Sequence, residues 1–390
     1  MLFCAKDFSF CGKPMKRIGI QLDFAGGYGR GVLRGVMQYA NMRNDWEFVM
    51  PPMYSLKSKK LIDPRTADGV IAMVHAIRSI EPFRRADVPV VNTARTLSTR
   101  EIEEHKIPTI LPDDAAVGAM AYQYFFERGF RSFGFCGHPT ASWSRMRRDA
   151  FAAGCRRDKV WFSYASVADG APHEWIRSLP RPCAVLGAND RYAWHIIDAC
   201  RENAISVPEE IAVLGVDNDS LLTEMVRPTL SSIDLGAERI GYRAAELLAQ
   251  YMRRGNVRRR TVEIPPFGVV TRHSTNILSI QDQAVAESVR FIREHAFEAM
   301  TIEDVLRHVA MSRRNLERRF RRVMQRSLLD EVRRVRLDRA AKLLRETDLD
   351  MPRVAEQSGF TNQVRFSTVF REQMGDTPTG YRRQHRPAFG

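Results

Sequence analysis

Residues 301–324, TIEDVLRHVAMSRRNLERRFRRVM, and residues 350–374, DMPRVAEQSGFTNQVRFSTVFREQM, carry one pattern twice. Each opens with a short helix bearing one apolar face, turns tightly, and continues as a second helix. Thr301 stands at an N-cap with Asp304 at the capping-box position. Ser312 is expected to cap the second helix, whose Leu316, Phe320 and Val323 face inward. Ser312, Leu316 and Phe320 correspond to Asn362, Phe366 and Phe370, each 50 residues on. A shared offset at three structural positions marks a duplicated supersecondary unit. Short helix, tight turn and helix with an exposed cationic face is a helix-turn-helix pattern. One helix over about 327–346 lies between the copies, with Leu328, Val332, Val335, Leu343 and Leu344 inward. Its length of ~30 Å is close to the ~34 Å between successive major grooves of B-DNA.

Charge agrees with that reading locally. The 390 residues hold 60 Lys and Arg against 46 Asp and Glu, a formal net charge of +14. A diffuse excess of this size speaks only to solubility. Residues 312–326, however, carry seven arginines and one acid. Arg is the cation suited to phosphate oxygens and guanine edges. A solvated helix face is the plain alternative for such a run. The second copy and a closing motif, Gly375, Thr377, Pro378, Tyr381 and Arg382, weigh against it.

These residues resemble the AraC-type DNA-binding domain over about 100 residues. The resemblance places Arg314, Glu317 and Arg318 toward bases in the first unit, and Gln363, Val364, Arg365 and Thr368 in the second. The side-chain chemistry suits this, since Arg reads guanine, Gln reads adenine and Glu accepts from cytosine. Val364 has only a thymine methyl to touch. Arg313, Arg321, Arg322 and Arg371 are expected to hold phosphates, fixing register without reading sequence.

Upstream, from Lys16 to about Arg272, apolar runs alternate with helical segments. Strands are expected at 17–22, 46–50, 68–74, 88–93, 107–111, 132–137, 160–165, 183–188, 211–216 and 230–235, with a final β-like run at 267–276. Helices are expected at 115–128, 143–156, 191–203 and 237–253. Several strands are continuously apolar, as buried parallel strands should be. The alternation argues for α/β, and about ten strands over some 250 residues fit two lobes. RRGNVRRR (253–260) reads as a solvated turn. The expected division is an N-terminal extension (1–15), a two-lobed α/β sensor (16–275) and an all-α domain with two helix-turn-helix units (276–390). The join has no Gly or Pro over 273–283, so a short, stiff connection is expected.

GGYGRG (26–31) invites a dinucleotide-binding reading, but Gly27, Gly29 and Gly31 do not meet G-x-G-x-x-G. A turn and helix start is the better account. Asp113 and Asp114 are either paired carboxylates or caps at a strand end. Other segments place polar side chains at the carboxyl ends of predicted strands, where open α/β sheets bind ligands. Together they resemble the periplasmic-binding-protein-like sensor of LacI/GalR-type repressors, although the helix-turn-helix stands at the other end of the chain. A LacI-like sensor joined to an AraC-like tail resembles the xylose operon regulator family. That resemblance implies ligand contacts by Asp23, Tyr28, Asp114, Trp143, Arg147, Asn189 and Asp217. Carboxylates, an amide and a guanidinium suit vicinal hydroxyls, and an aromatic plate suits the sugar ring face. Trp143, Trp194 and Phe24 are the candidate plates.

The expectation is a sugar-responsive activator, xylose or another pentose being the ligand and duplex DNA the target, acting as a homodimer in the cytoplasm and near RNA polymerase. The rival is a nucleotide- or sugar-processing enzyme fused to a DNA-binding domain. No G-x-S-x-G, Walker A or HExxH motif occurs, so no catalytic residue is assigned. The six cysteines form no CxxC pair, and no metal or cofactor is expected. No stretch approaches the ~20 apolar residues of a membrane span, and the first residues hold no export-signal core. Met15, just before the first strand, is a second candidate start.

Overall fold

Two six-stranded sheets hold the apolar runs. The computed structural model describes residues 15–50, 62–167, 172–255, 261–277, 280, 282–298 and 300–385. Residues 1–14, with Cys4 and Cys11, and residues 256–260 of RRGNVRRR lie outside them. The strands are β1 (Lys16–Gln21), β2 (Trp46–Val49), β3 (Gly69–Ala72), β4 (Val90–Asn92), β5 (Thr109–Pro112), β6 (Ser132–Gly137), β7 (Trp161–Ser166), β8 (Cys183–Gly187), β9 (Ile211–Val216), β10 (Ser231–Asp234), β11 (Thr261–Ile264) and β12 (Gly268–Val270). The helices are α1 (Gly27–Arg43), α2 (Glu81–Arg85), α3 (Thr99–Glu104), α4 (Asp114–Phe126), α5 (Ser142–Arg157), α6 (His173–Ser178), α7 (Asp190–Glu202), α8 (Ser220–Met225) and α9 (Ala237–Arg254) in the α/β part. Beyond it come α10 (Gln283–His295), α11 (Ile302–His308), α12 (Arg313–Met324), α13 (Leu328–Glu346), α14 (Met351–Gln357), α15 (Gln363–Met374) and α16 (Pro378–His385).

The first sheet runs β11-β5-β4-β3-β1-β2 and the second β12-β10-β9-β8-β6-β7. All pairings are parallel except β10 with β12. Strands β3, β8 and β9 are buried at every position, which is why they read as unbroken apolar runs. The chain crosses between the lobes three times, after β5, after β10 and after β11. Strand β11 is the one strand with no expectation in the sequence analysis, and the short helices α2, α3, α6 and α8 have none either. The TVEI of β11 alternates exposure at the sheet edge, so it carries too few apolar residues to stand out.

After β12, a short 3₁₀ turn at His273–Thr275 pins the chain to the second lobe. Ser274 Oγ donates to the Val213 carbonyl at 2.6 Å, and the Tyr124 hydroxyl meets Thr275 Oγ1 at 2.6 Å. From α10 on, the described residues are helical. Two cores form along α13: Leu328, Val332 and Val335 pack with Leu316 and Phe320, while Leu343 and Leu344 pack with Phe366 and Phe370. Each of those buried large apolar side chains stabilises the domain by about 1.5–3 kcal/mol. The capping box at Thr301 and Asp304 forms. Ser312 does not cap with its hydroxyl; its carbonyl instead accepts from the Asn315 and Leu316 amides at 3.1 and 3.0 Å.

Candidate functional site

The loops at the carboxyl ends of β1, β3, β4, β5, β8 and β9 enclose a cavity of about 240 Å³ between the lobes. That is below the ~300–1,000 Å³ of drug-sized ligand sites and suits a monosaccharide-sized solute. Asp23, Tyr28, Asp114, Trp143, Arg147, Asn189 and Asp217 all line it. Depressions of about 430 and 700 Å³ lie at the base of the first sheet and beside α3. Neither is walled by strand ends from both sheets.

The cavity is organised around Asp114, which is fully buried at the first turn of α4. Asp113 takes the N-cap, accepting from the Ala116 amide at 2.9 Å, which leaves the Asp114 carboxylate to face the cleft. Arg95, in the loop after β4, donates to one Asp114 oxygen at 2.8 Å. Arg147, on α5, donates to the other at 2.8 Å. Arg147 also donates to the Ala188 carbonyl at 2.6 Å, and its Cζ sits 5.1 Å from the Trp143 ring centre. Burial raises the Asp114 pKa above the ordinary carboxylate value, against the pull of the two guanidiniums.

Asp217 follows β9 with φ of 110°, in the left-handed region that side chains rarely adopt. Such strain costs on the order of 1–3 kcal/mol and clusters at ligand sites. Burial first, then Asp219 and Asp114, push its carboxyl up to about 7, while Arg147 opposes them. Burial also raises the Tyr28 phenol, whose hydroxyl donates to the Thr93 carbonyl at 2.6 Å. Asn189 caps α7, accepting from the Tyr192 amide at 3.1 Å. Asp23 accepts from the Ala25 amide at 2.9 Å. Two contacts tie the lobes beside the cavity. Arg30 on α1 meets Asp219 at 2.6 Å, and Ser142 on α5 donates to the Arg95 carbonyl at 2.6 Å.

Two of the candidate plates are elsewhere. Phe24 packs on the core of the first lobe, and Trp194 packs on that of the second, ring-stacked with His195. Neither lines the cavity, which leaves Trp143, itself packed in part on the second core, as the cavity's indole. The sequence reading passed over Arg95, His75 and Thr93, which also line the cavity. The signal is present, since each stands just past the carboxyl end of β3 or β4. Among the described residues, no group of three His, Cys, Asp or Glu side chains is placed to hold a metal ion. No described helix is long and apolar enough to cross a membrane.

The second surface lies on α12 and α15. Arg313, Arg314, Arg318, Arg321 and Arg322 are exposed, and Glu317 is half-buried. Gln363, Val364, Arg365, Thr368 and Arg371 are exposed too, Val364 to 78%. Arg319 is withdrawn from this face by Asp282, which it meets at 2.6 Å.

Residues 305–384 match the helix-turn-helix domain family, and residues 122–275 match the periplasmic binding protein-like domain family. The xylose operon regulatory protein of Haemophilus influenzae is 29% identical over 369 residues, covering 91% of this chain and 95% of that one. Its Escherichia coli K12 counterpart is 28% identical, covering 91% and 94%. A solved xylose-binding transcription activator, xylR, superposes with a TM-score of 0.60 at 27% identity, over 96% of this chain and 99% of that one. Over nearly its whole length this chain is similar to the xylose operon regulator family. Its order of domains, a LacI-like α/β sensor followed by an AraC-type pair of helix-turn-helix units, is that family's order. A regulator of this family is a DNA-binding transcription factor and not an enzyme.

Proposed function

We propose that the cleft binds a pentose, with D-xylose the first candidate, and that sugar binding sets how the two helix-turn-helix units engage a promoter. The observation that carries the reading is Asp114, clamped at 2.8 Å by one arginine from each lobe inside a cavity of about 240 Å³. A carboxylate fixed this way offers its remaining lone pairs to hydroxyls without reorganising. Asp23, Asn189 and Asp217 supply further polar contacts, Arg147 donates, Tyr28 closes one wall, and Trp143 supplies the plate. Sugar shifts the lobes only by its differential affinity for closed over open. The relatives named for xylose span nearly the whole chain, which favours a pentose.

Arg314, Glu317, Arg318, Gln363, Val364, Arg365 and Thr368 face bases in this reading, while Arg313, Arg321, Arg322 and Arg371 hold phosphates. The functional division is a sensor over 16–275 and a DNA-binding domain over 276–390. A homodimer presents four such units to two half-sites, activates by placing RNA polymerase, and works in the cytoplasm. The test is a thermal-shift screen of the full chain against pentoses and hexoses. A sugar at a hundredfold excess over its Kd stabilises by ~2.7 kcal/mol. D-xylose is expected to raise Tm most, and no shift with any pentose would refute the reading.

A further inference from the structure

The helix that joins the two DNA-reading units rests on the sensor, and both of its ends are in line with the cleft. One line runs through α4. Its first turn holds Asp114 in the cleft, and 13 residues, or ~20 Å, carry the axis to Glu127 at the far end. There the Glu127 carboxylate meets Arg334 of α13 at 3.3 Å, and the Glu127 carbonyl accepts from Arg326 at 3.2 Å. Arg334 is locked in turn by Glu331 at 2.7 Å and Asp338 at 2.8 Å. Four residues on, Arg131 donates to the Val323 carbonyl at 2.8 Å, in the last turn of α12.

The other line runs through the turn after β9. Asn218, next to Asp217 and also left-handed at φ 50°, donates to Asp234 at 3.4 Å. Asp234 ends β10, where the chain crosses to the other lobe. Burial raises the Asp234 carboxyl above the ordinary carboxylate value, and Arg345, near the far end of α13, is the cation that opposes the rise. Its guanidinium stands within 4 Å of the place a Cβ on Gly268 would take, beside the third crossing. Arg345 also donates to the Tyr381 hydroxyl at 2.9 Å, inside the closing motif of the second unit. Each end of α13 is therefore held where lobe movement acts: under α4 at one end, at the crossings at the other.

The junction beneath α13 is crowded with charge. Arg128 is buried against the Tyr124 ring at 3.4 Å, and Arg293 of α10 lies in the same group. Nε of Arg128 and Nη2 of Arg293 are buried without a hydrogen-bond acceptor among the described residues. A buried, incompletely satisfied polar cluster costs free energy.

We infer that the underside of the sensor is a docking surface for α13, and that Glu127 and Arg345 are the positioning residues through which cleft closure reaches both helix-turn-helix units of the same chain. The inference rests on the reading of the cleft as a sugar site. It adds a route within one chain, independent of any dimer contact.

Full-length wild type, Glu127→Gln and Arg345→Gln are titrated with D-xylose by calorimetry, and then with the chain's own promoter DNA with and without D-xylose. Couplings between sites are typically 5–150-fold. Both variants are expected to bind D-xylose within twofold of wild type, while the sugar-dependent change in DNA affinity falls below twofold. Arg345→Lys, which keeps the charge facing Asp234, is expected to restore part of that change. Variants that bind D-xylose and keep the wild-type change would overturn the inference. Wild type that fails to bind D-xylose would overturn the pentose reading instead. The docking surface is then judged by hydrogen exchange without sugar: Arg345→Gln must speed exchange at the 234–237 crossing as well as in α16. Unchanged exchange at that crossing would refute it.

Discussion

The cleft and the α12 face use the same residue for opposite purposes. In the cleft, Arg147 is 4% exposed and divides its donors between Asp114 and the Ala188 carbonyl. On α12, Arg314 has no ionic or hydrogen-bond partner among the described residues, and Arg322 has only Asp282 at 3.9 Å. A paired, buried guanidinium is a fixed part, and its charge is already spent. An exposed one keeps its donors for phosphates and base edges. Arg313, Arg318 and Arg321 do have partners, Glu303 at 3.3 Å, Asn315 at 3.3 Å and Glu317 at 3.8 Å, but these arginines stay exposed. Burial of the pair, not pairing alone, therefore separates the residues that shape a site from those that await a partner.

Breaking the fixed class should have the largest effect. Arg147→Ala leaves Asp114 buried with one cation fewer, and losing one partner of a buried pair costs ~3–5 kcal/mol. Thermal unfolding should show that loss, and D-xylose should no longer raise Tm. An unchanged Tm would place Arg147 in the exposed class. Arg318→Ala should leave Tm alone, cost ~1–3 kcal/mol in promoter affinity and relax choice at one base position. Arg322→Ala should weaken all sequences alike and lower the salt slope by ~1. Identical behaviour of these two variants in binding-site selection would erase the division between reading and holding. Val364→Ala, which removes two methyl groups from an exposed contact, should cost least, at most ~0.8 kcal/mol per methyl and at one thymine only.

The cleft also differs from α12 in its answer to pH. Asp217, raised to about 7 by burial and its acidic neighbours, binds a proton in the folded state that the unfolded chain releases near ~3.9. The folded state thus holds more protons across that window, so its stability falls as pH rises from ~4 through ~7. Sugar hydroxyls donate best to the ionised carboxylate, so D-xylose affinity should rise over the same range. Calorimetry between pH 5.5 and 8 should show the rise in wild type and a flat response in Asp217→Asn.

Most of the architecture was legible because buried parallel strands and amphipathic helices leave strong periodicity. The ten strands anticipated from β1 through β10 all occur, and the 50-residue offset extends to α12 and α15, both of which end in left-handed residues, Gln325 and Gly375. β11 was not legible, because an edge strand of four residues needs only Ile264 fully buried. Asp114, Asn189 and Asp217 could be picked out because each follows a strand. Phe24 and Trp194 satisfied the same rule but turned into their cores, a choice that depends on packing and leaves no trace in spacing. The Glu127–Arg334 contact joins residues more than 200 apart, and no local pattern announces it.

The most direct test of the account is a titration of the full chain with its promoter DNA at two salt concentrations, with and without saturating D-xylose. A sugar-dependent change in affinity of fivefold or more, at both salts, is predicted. Sugar that binds the cleft yet leaves promoter affinity unchanged would contradict it.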